Sequence, residues 1–151
     1  MAAQNNSYNY AQLVNNFLLT AVKFPTVNYA FSGNVYEINS MEGTQYPVFV
    51  VSAIRPAVEQ ENYFEFYLTL MYIDRLQEET EEQKNADSLI IESNGISTLS
   101  KIIAEMRNDP HIIDIPFGNQ YTIYSRTFCF NDYCQAVSTE ITVIVPKSSI
   151  C

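Results

Sequence analysis

The stretch that decides the fold is Tyr63–Leu76, YFEFYLTLMYIDRL. Alternate residues of an extended chain point to opposite faces of a sheet. Phe64, Phe66, Leu68, Leu70 and Tyr72 therefore form one row, and Tyr63, Glu65, Tyr67, Thr69, Met71 and Ile73 form the other. Both rows are rich in apolar and aromatic residues, so the strand is either central or covered on its second face by another subunit. A helix competes for this stretch, but its aromatic and β-branched content favours a strand.

Working outward, other β-prone runs flank it. On the N-terminal side, Asn28–Phe31 is followed by the turn cluster Ser32-Gly33-Asn34 and by a second run over Val35–Asn39. A polar loop over Met41–Tyr46 leads into Pro47–Arg55, PVFVVSAIR, which is expected to end at Pro56. On the C-terminal side, His111–Ile115 reads as a short extended piece closed by Pro116. Tyr121–Asn131 and Ala136–Val145 then read as strands around a hairpin turn at Asp132-Tyr133-Cys134-Gln135.

Two amphipathic helices complete the pattern. Tyr10, Leu13, Val14, Phe17, Leu18, Ala21 and Val22 recur at helical spacing within Ser7–Phe24, with Ser7 as the N-cap and Pro25 as the stop. Ile96, Leu99, Ile102, Ile103 and Met106 mark a second helix, capped by Ser93 and ending near Arg107. Ser88–Glu92 reads equally as a short strand or a first helical turn. The order is helix, three or four strands, helix, two strands. It predicts an α+β fold, a mostly antiparallel sheet with both helices packed on one face.

Length and composition narrow the function classes. The 151 residues fit a single domain, with a polar arm over 1–7 and a short tail over 146–151. Eleven Tyr and nine Phe without Trp suit either a β-rich core or a contact surface. The net charge of −9 speaks against binding a phosphate backbone. Between Ala57 and Glu92 ten acidic residues face only Arg75 and Lys84, so this segment holds −8 of that charge. Its densest part, Gln77–Asp87, reads as a charged loop carrying Glu78, Glu79, Glu81, Glu82 and Asp87, either solvated or presented to a partner or a lumen.

Signals for chemistry are sparse. There is no nucleophile elbow and no phosphate-binding glycine loop. Cys129, Cys134 and Cys151 are not spaced as a zinc or redox pair, and they read as thiols in a reducing compartment. His111 alone cannot complete a metal site, and the glutamate pairs lack the alternation of a calcium loop. No catalytic, cofactor or metal site is expected. The first ten residues lack the charge and apolar core of a secretion signal, and no apolar run reaches the length of a membrane span. Synthesis in the cytoplasm and no membrane partner are the expectations.

Several phrases resemble a known family. They are Phe64–Leu68 through Ile73-Asp74-Arg75-Leu76, then Ile91-Glu92-Ser93-Asn94-Gly95-Ile96 with Leu99–Ile103, and finally Phe130-Asn131-Asp132-Tyr133-Cys134-Gln135. Together they resemble the tail-terminator, tail-completion and head–tail joining ring proteins of tailed bacteriophages, in particular ring proteins of the crAss-like phages. The resemblance spans about Tyr8–Val145 and implies a single tail-terminator-like domain. It also implies a non-enzymatic virion protein in a six- or twelve-fold homo-oligomeric ring, beside the portal or other neck and tail proteins. DNA would pass the channel without specific binding. On this reading Tyr63, Glu65, Tyr67, Thr69, Met71 and Ile73 meet the next subunit, and the acidic stretch faces the lumen or a partner. The contrasting expectation is a cytoplasmic adaptor that binds a protein through the same Tyr-rich sheet.

Overall fold

The computed structural model describes residues 9–33, 45–75, 81–124 and 134–147, with the side chains of 81–86 set aside. The described elements are α1 (Tyr10–Ala21), β1 (Tyr29–Ser32), β2 (Val48–Glu59), β3 (Tyr63–Arg75), α2 (Glu81–Arg107), β4 (Tyr121–Tyr124) and β5 (Cys134–Pro146). The fold is α+β. Its five-stranded sheet has the order β1-β2-β3-β5-β4, parallel between β1 and β2 and antiparallel elsewhere. The expected Val35–Asn39 run lies outside the described residues.

β3 is the central strand. It pairs with β2 on one side and along its whole length with β5 on the other. The even row of β3 faces the helices: Phe66, Leu68, Leu70 and Tyr72 are buried there with Phe49 and Val51 of β2 and Val137, Ile141 and Val143 of β5. Over this layer α1 contributes Leu13, Val14 and Phe17, and α2 contributes Leu99, Ile102, Ile103 and Met106. Each such side chain contributes about 1.5–3 kcal/mol by leaving water. α1 lies over β1 and β2, α2 lies over β3 and β5, and the two helices touch. A hydrogen bond of 2.7 Å links the hydroxyls of Thr26 and Thr98 beside that contact.

α1 begins later than Ser7. Asn9 is its N-cap, accepting from the Gln12 N–H, while the Gln12 side chain accepts from the Asn9 N–H. This reciprocal pair satisfies two of the amides that a helix start leaves open.

α2 departs most from the sequence reading. It starts at Glu81 instead of Ser93 and runs 27 residues, so Glu81, Glu82 and Asp87 belong to a helix and not to a loop. Glu, Gln, Lys and Ala are strong helix formers, and acidic residues suit the positive end of a helix. Ser88–Glu92 is helical as well. Gly95, a turn signal in isolation, sits mid-helix because α2 crosses the sheet there with no room for a side chain.

The strand ends also differ. β2 continues past Pro56 to Glu59, with register shifts between Ala53 and Arg55 and between Arg55 and Val58. The proline falls in the second irregularity, where a missing N–H breaks no ladder bond. Cys134 and Gln135 are the first residues of β5, buried in the sheet, and not part of a turn. The His111–Ile115 segment does join the sheet: Asp114 bridges Ile144, and the Ile113 N–H donates to the Ile144 carbonyl at 2.8 Å.

Candidate functional site: the outer sheet face

Two helices cover one side of the sheet, and the odd row of β3 lies on the other. Tyr63, Glu65, Tyr67, Thr69 and Met71 are each half-buried. Ile73 is fully buried, packed with Val48, Val50, Cys134 and Ala136 in a second small cluster bordered by Phe31, Tyr46, Met71 and Tyr124. Ile73 is therefore no contact residue, contrary to the sequence expectation. The chain fills one end of this face itself and leaves the rest open.

Thr69 sits at the middle of the open part, between two shallow depressions. One, of about 470 Å³, is bounded by Asn119, Gln120, Thr122, Ser138 and Glu140. The other, of about 520 Å³, is bounded by Gly33, Val50, Ser52, Ala53 and Met71. The first is mainly polar and the second is mixed, with Ser52 and Thr69 beside Val50, Ala53 and Met71. At its rim the Ser52 hydroxyl donates to the Gly33 carbonyl at 2.6 Å, tying β1 to β2.

Arg55 reaches this face because of the first irregularity in β2. Strict alternation from Phe49 and Val51 would send it to the helix side, among the apolar side chains of the main core. The inserted residue lets Arg55 pair with Tyr67 instead, and its guanidinium lies 3.9 Å from the Tyr67 ring centroid. The Tyr67 hydroxyl donates to Glu65 Oε2 at 2.5 Å. That bond to Glu65 holds the phenol above its ordinary pKa, with burial and the glutamate charge adding to it. Arg55, Tyr67 and Glu65 thus form a connected row of cation, ring, hydroxyl and carboxylate. Sequence alternation missed Arg55 because nothing in PVFVVSAIR marks where the extra residue enters.

Among the acidic residues singled out from sequence, Glu78 and Glu79 lie outside the described residues. Glu81 and Glu82 fall in the first turn of α2. Asp87 is half-buried on the same helix, close enough to Asp74 at the end of β3 to help raise its pKa. Burial is the main cause of that rise, opposed by the Arg75 N–H, which donates to Asp74 Oδ1 at 2.8 Å, and by the Arg75 charge.

His111 stands on the exposed turn after α2, where Asp109 Oδ1 accepts from its backbone N–H at 2.8 Å and lies 3.1 Å from Nδ1. Among the described residues no three His, Cys, Asp or Glu side chains are grouped to hold a metal ion. No described helix is long and apolar enough to cross a membrane. No protein-family model matches the chain, and no curated protein matches it.

Proposed function

We propose that the protein is a structural ring subunit of a tailed-bacteriophage virion, assembling around the DNA channel in the neck or tail through its outer sheet face. One observation carries the reading. The central strand, whose other row is packed under two helices, keeps Tyr63, Glu65, Tyr67, Thr69 and Met71 half-open to solvent on a face with two unfilled depressions. Interfaces between obligate subunits resemble a core cut in two and are rich in Tyr and Met. The α+β architecture agrees with what the family resemblance implies, and the excess of negative charge suits a channel wall that must not bind passing DNA.

A second copy, or a neighbouring ring protein, would bury this row against itself. The test is mass spectrometry of purified particles for copy number, with negative-stain imaging of the purified protein alone and with its neighbours. Ring assembly or incorporation at six or twelve copies supports the reading. A stable monomer that also stays out of particles overturns it.

A further inference from the structure

Phe117 is the most exposed large apolar residue among those described, at 82%. It stands between Pro116 and Gly118, whose φ of +95° turns the chain. The ring is nonetheless held. Arg107 donates to the Ile115 and Pro116 carbonyls, and its guanidinium lies 3.7 Å from the ring centroid. A side chain already fixed in place loses little freedom when a partner covers it. Its level in the sheet follows from the pairing. The stretch Ile115–Gln120 runs beside β5 from Ile144, which Asp114 bridges, to Thr139, whose hydroxyl donates to the Gln120 carbonyl at 2.9 Å. Phe117, midway along it, stands at the level of Thr142.

That level carries a gap on the other side of the sheet. Thr142 pairs with Tyr67, and Tyr67 pairs with Arg55. Just beyond Arg55, Pro56 and Ala57 leave the ladder opposite Phe66, which is the second irregularity of β2. Among the described residues no strand flanks β2 there, because the pairing with β1 ends at Val51. The space that results is about 290 Å³, lined by Tyr10, Ala53, Pro56, Ala57, Phe66 and Tyr67, with Arg55 beside them. The rings of Tyr10 and Phe66 have centroids 5.4 Å apart. An apolar cavity of roughly 150 Å³ already admits benzene, so one phenyl ring fits.

We infer that Phe117 of one copy enters the gap over Phe66 of the next copy. The inference rests on the ring reading and names its contact. Within one chain β5 and β3 lie between the two features, roughly 14 Å at about 4.8 Å per strand. No chain can therefore fill its own gap. Knob and gap occupy opposite margins of the sheet, so a two-fold pair cannot satisfy both at once. Each copy instead offers a free knob to the next, which is the head-to-tail contact of a cyclic assembly. Because knob and gap share one level, successive copies need not climb along the strands. A contact without climb closes into a ring, whereas one that climbs gives a filament. One phenyl ring buries far less than the about 800 Å² per partner of a stable interface. Tyr67 joins the two surfaces, since it lines the gap and also belongs to the open row of β3.

The test is photocross-linking from the full chain carrying Phe117→p-benzoylphenylalanine, in assemblies made from isotopically light and heavy copies. Mass spectrometry should find light-to-heavy cross-links at Tyr10, at Ala53–Ala57 or at Phe66. In parallel, Phe117→Ala should weaken assembly about tenfold or more, and Phe117→Leu should weaken it less. Ala57→Trp, which fills the gap from within, should act like Phe117→Ala. Since Phe117 is largely in water, its alanine variant should keep the parent's melting temperature. Assembly that tolerates Phe117→Ala, or cross-links between copies at other positions, overturns this contact and leaves the ring reading standing. Cross-links to a different polypeptide assign the knob to another partner and overturn it too. A chain that stays monomeric and out of particles overturns both readings.

Discussion

Gly95 of α2 lies so close to Val137 of β5 that a Cβ on the glycine would stand 2.8 Å from Val137 Cγ2, and 3.1 Å from Tyr72 Cδ1. Tyr72 and Val137 are themselves partners across β3 and β5. The helix backbone there rests directly on those two side chains.

Gly95→Ala is therefore expected to destabilise. Helix propensity alone would favour alanine by about 1 kcal/mol, whereas overpacking a filled core costs about 1–3 kcal/mol. The net loss, about 1 kcal/mol, is measurable by urea unfolding. Shortening the neighbour should partly restore the fit, so Gly95→Ala/Val137→Ala should be more stable than the sum of the single losses. A more stable Gly95→Ala protein would show that the close contact is not maintained in solution.

The loop after α2 is held by Arg107. Its Nε donates to the Ile115 carbonyl at 2.8 Å, its Nη2 donates to the Pro116 carbonyl at 3.4 Å, and its guanidinium lies 3.7 Å from the centroid of the Phe117 ring, which is 82% exposed. Arg107→Ala should cost about 1.5–3 kcal/mol. It should also speed hydrogen exchange at Ile113 and Ile144, the amides of the bridge this loop makes to β5. Arg107→Lys should not restore protection, because an ammonium cannot reproduce the planar fork and the stacking. Unchanged exchange in the alanine variant would remove the anchoring role.

On the open sheet face, Met71→Glu and Thr69→Arg should abolish ring assembly or particle incorporation. The effect of Thr69→Arg on the stability of the isolated chain should stay at about 0.5 kcal/mol, since that side chain is half in water. Met71→Glu should cost more, because Met71 also packs against the Ile73 cluster. Ile73→Glu should instead unfold the protein, because that position is fully buried. Assembly that survives both surface changes would point to a different contact.

Asp74 gives a pH signature. Burial raises its folded pKa above that of the unfolded chain, so the native state resists ionisation. Its favourable term is complete below the ordinary carboxylate pKa of about 3.9 and is lost as pH rises through the raised value. Asp74→Asn keeps an oxygen for the Arg75 N–H and removes the charge. The variant should gain stability over the parent at about pH 7, and the gain should vanish by about pH 3. An equal difference at both pH values would assign the effect to packing.

Much of the architecture was legible in the residues. The two apolar rows of β3 leave it either central or covered by another subunit, and the strand order β1-β2-β3-β5-β4 places it at the centre of the sheet. The spacing from Leu13 to Ala21 and from Leu99 to Met106 named the two helices and their buried sides. The limits of the elements were less legible. Glu81–Asp87, within the stretch Gln77–Asp87, reads as a loop because charge dominates its appearance. The helix-forming strength of Glu, Gln, Lys and Ala comes from the little side-chain freedom they lose, and it leaves no apolar stripe to read. Ser93-Asn94-Gly95 looked like a start signal because a glycine needed for close helix–sheet approach has the same letter as one needed for a turn.

Alternation, helical spacing and the acidic bias are local properties, and the sequence by itself determined from them the fold class, the long strand with two apolar rows and the pairing of two helices with one sheet. Which side of that sheet the helices took, where Arg55 emerged and which of the odd residues stayed open were decided only by tertiary structure. The reason is that an inserted residue in β2 shifts the side chains after it to the opposite face until the second irregularity shifts them back, and burial at Ile73 depends on β2 and β5 lying beside it. The exposed Leu89, Ile90 and Ile96 of α2 belong to the same category, since they become surface residues only once the sheet has claimed the other side of their helix.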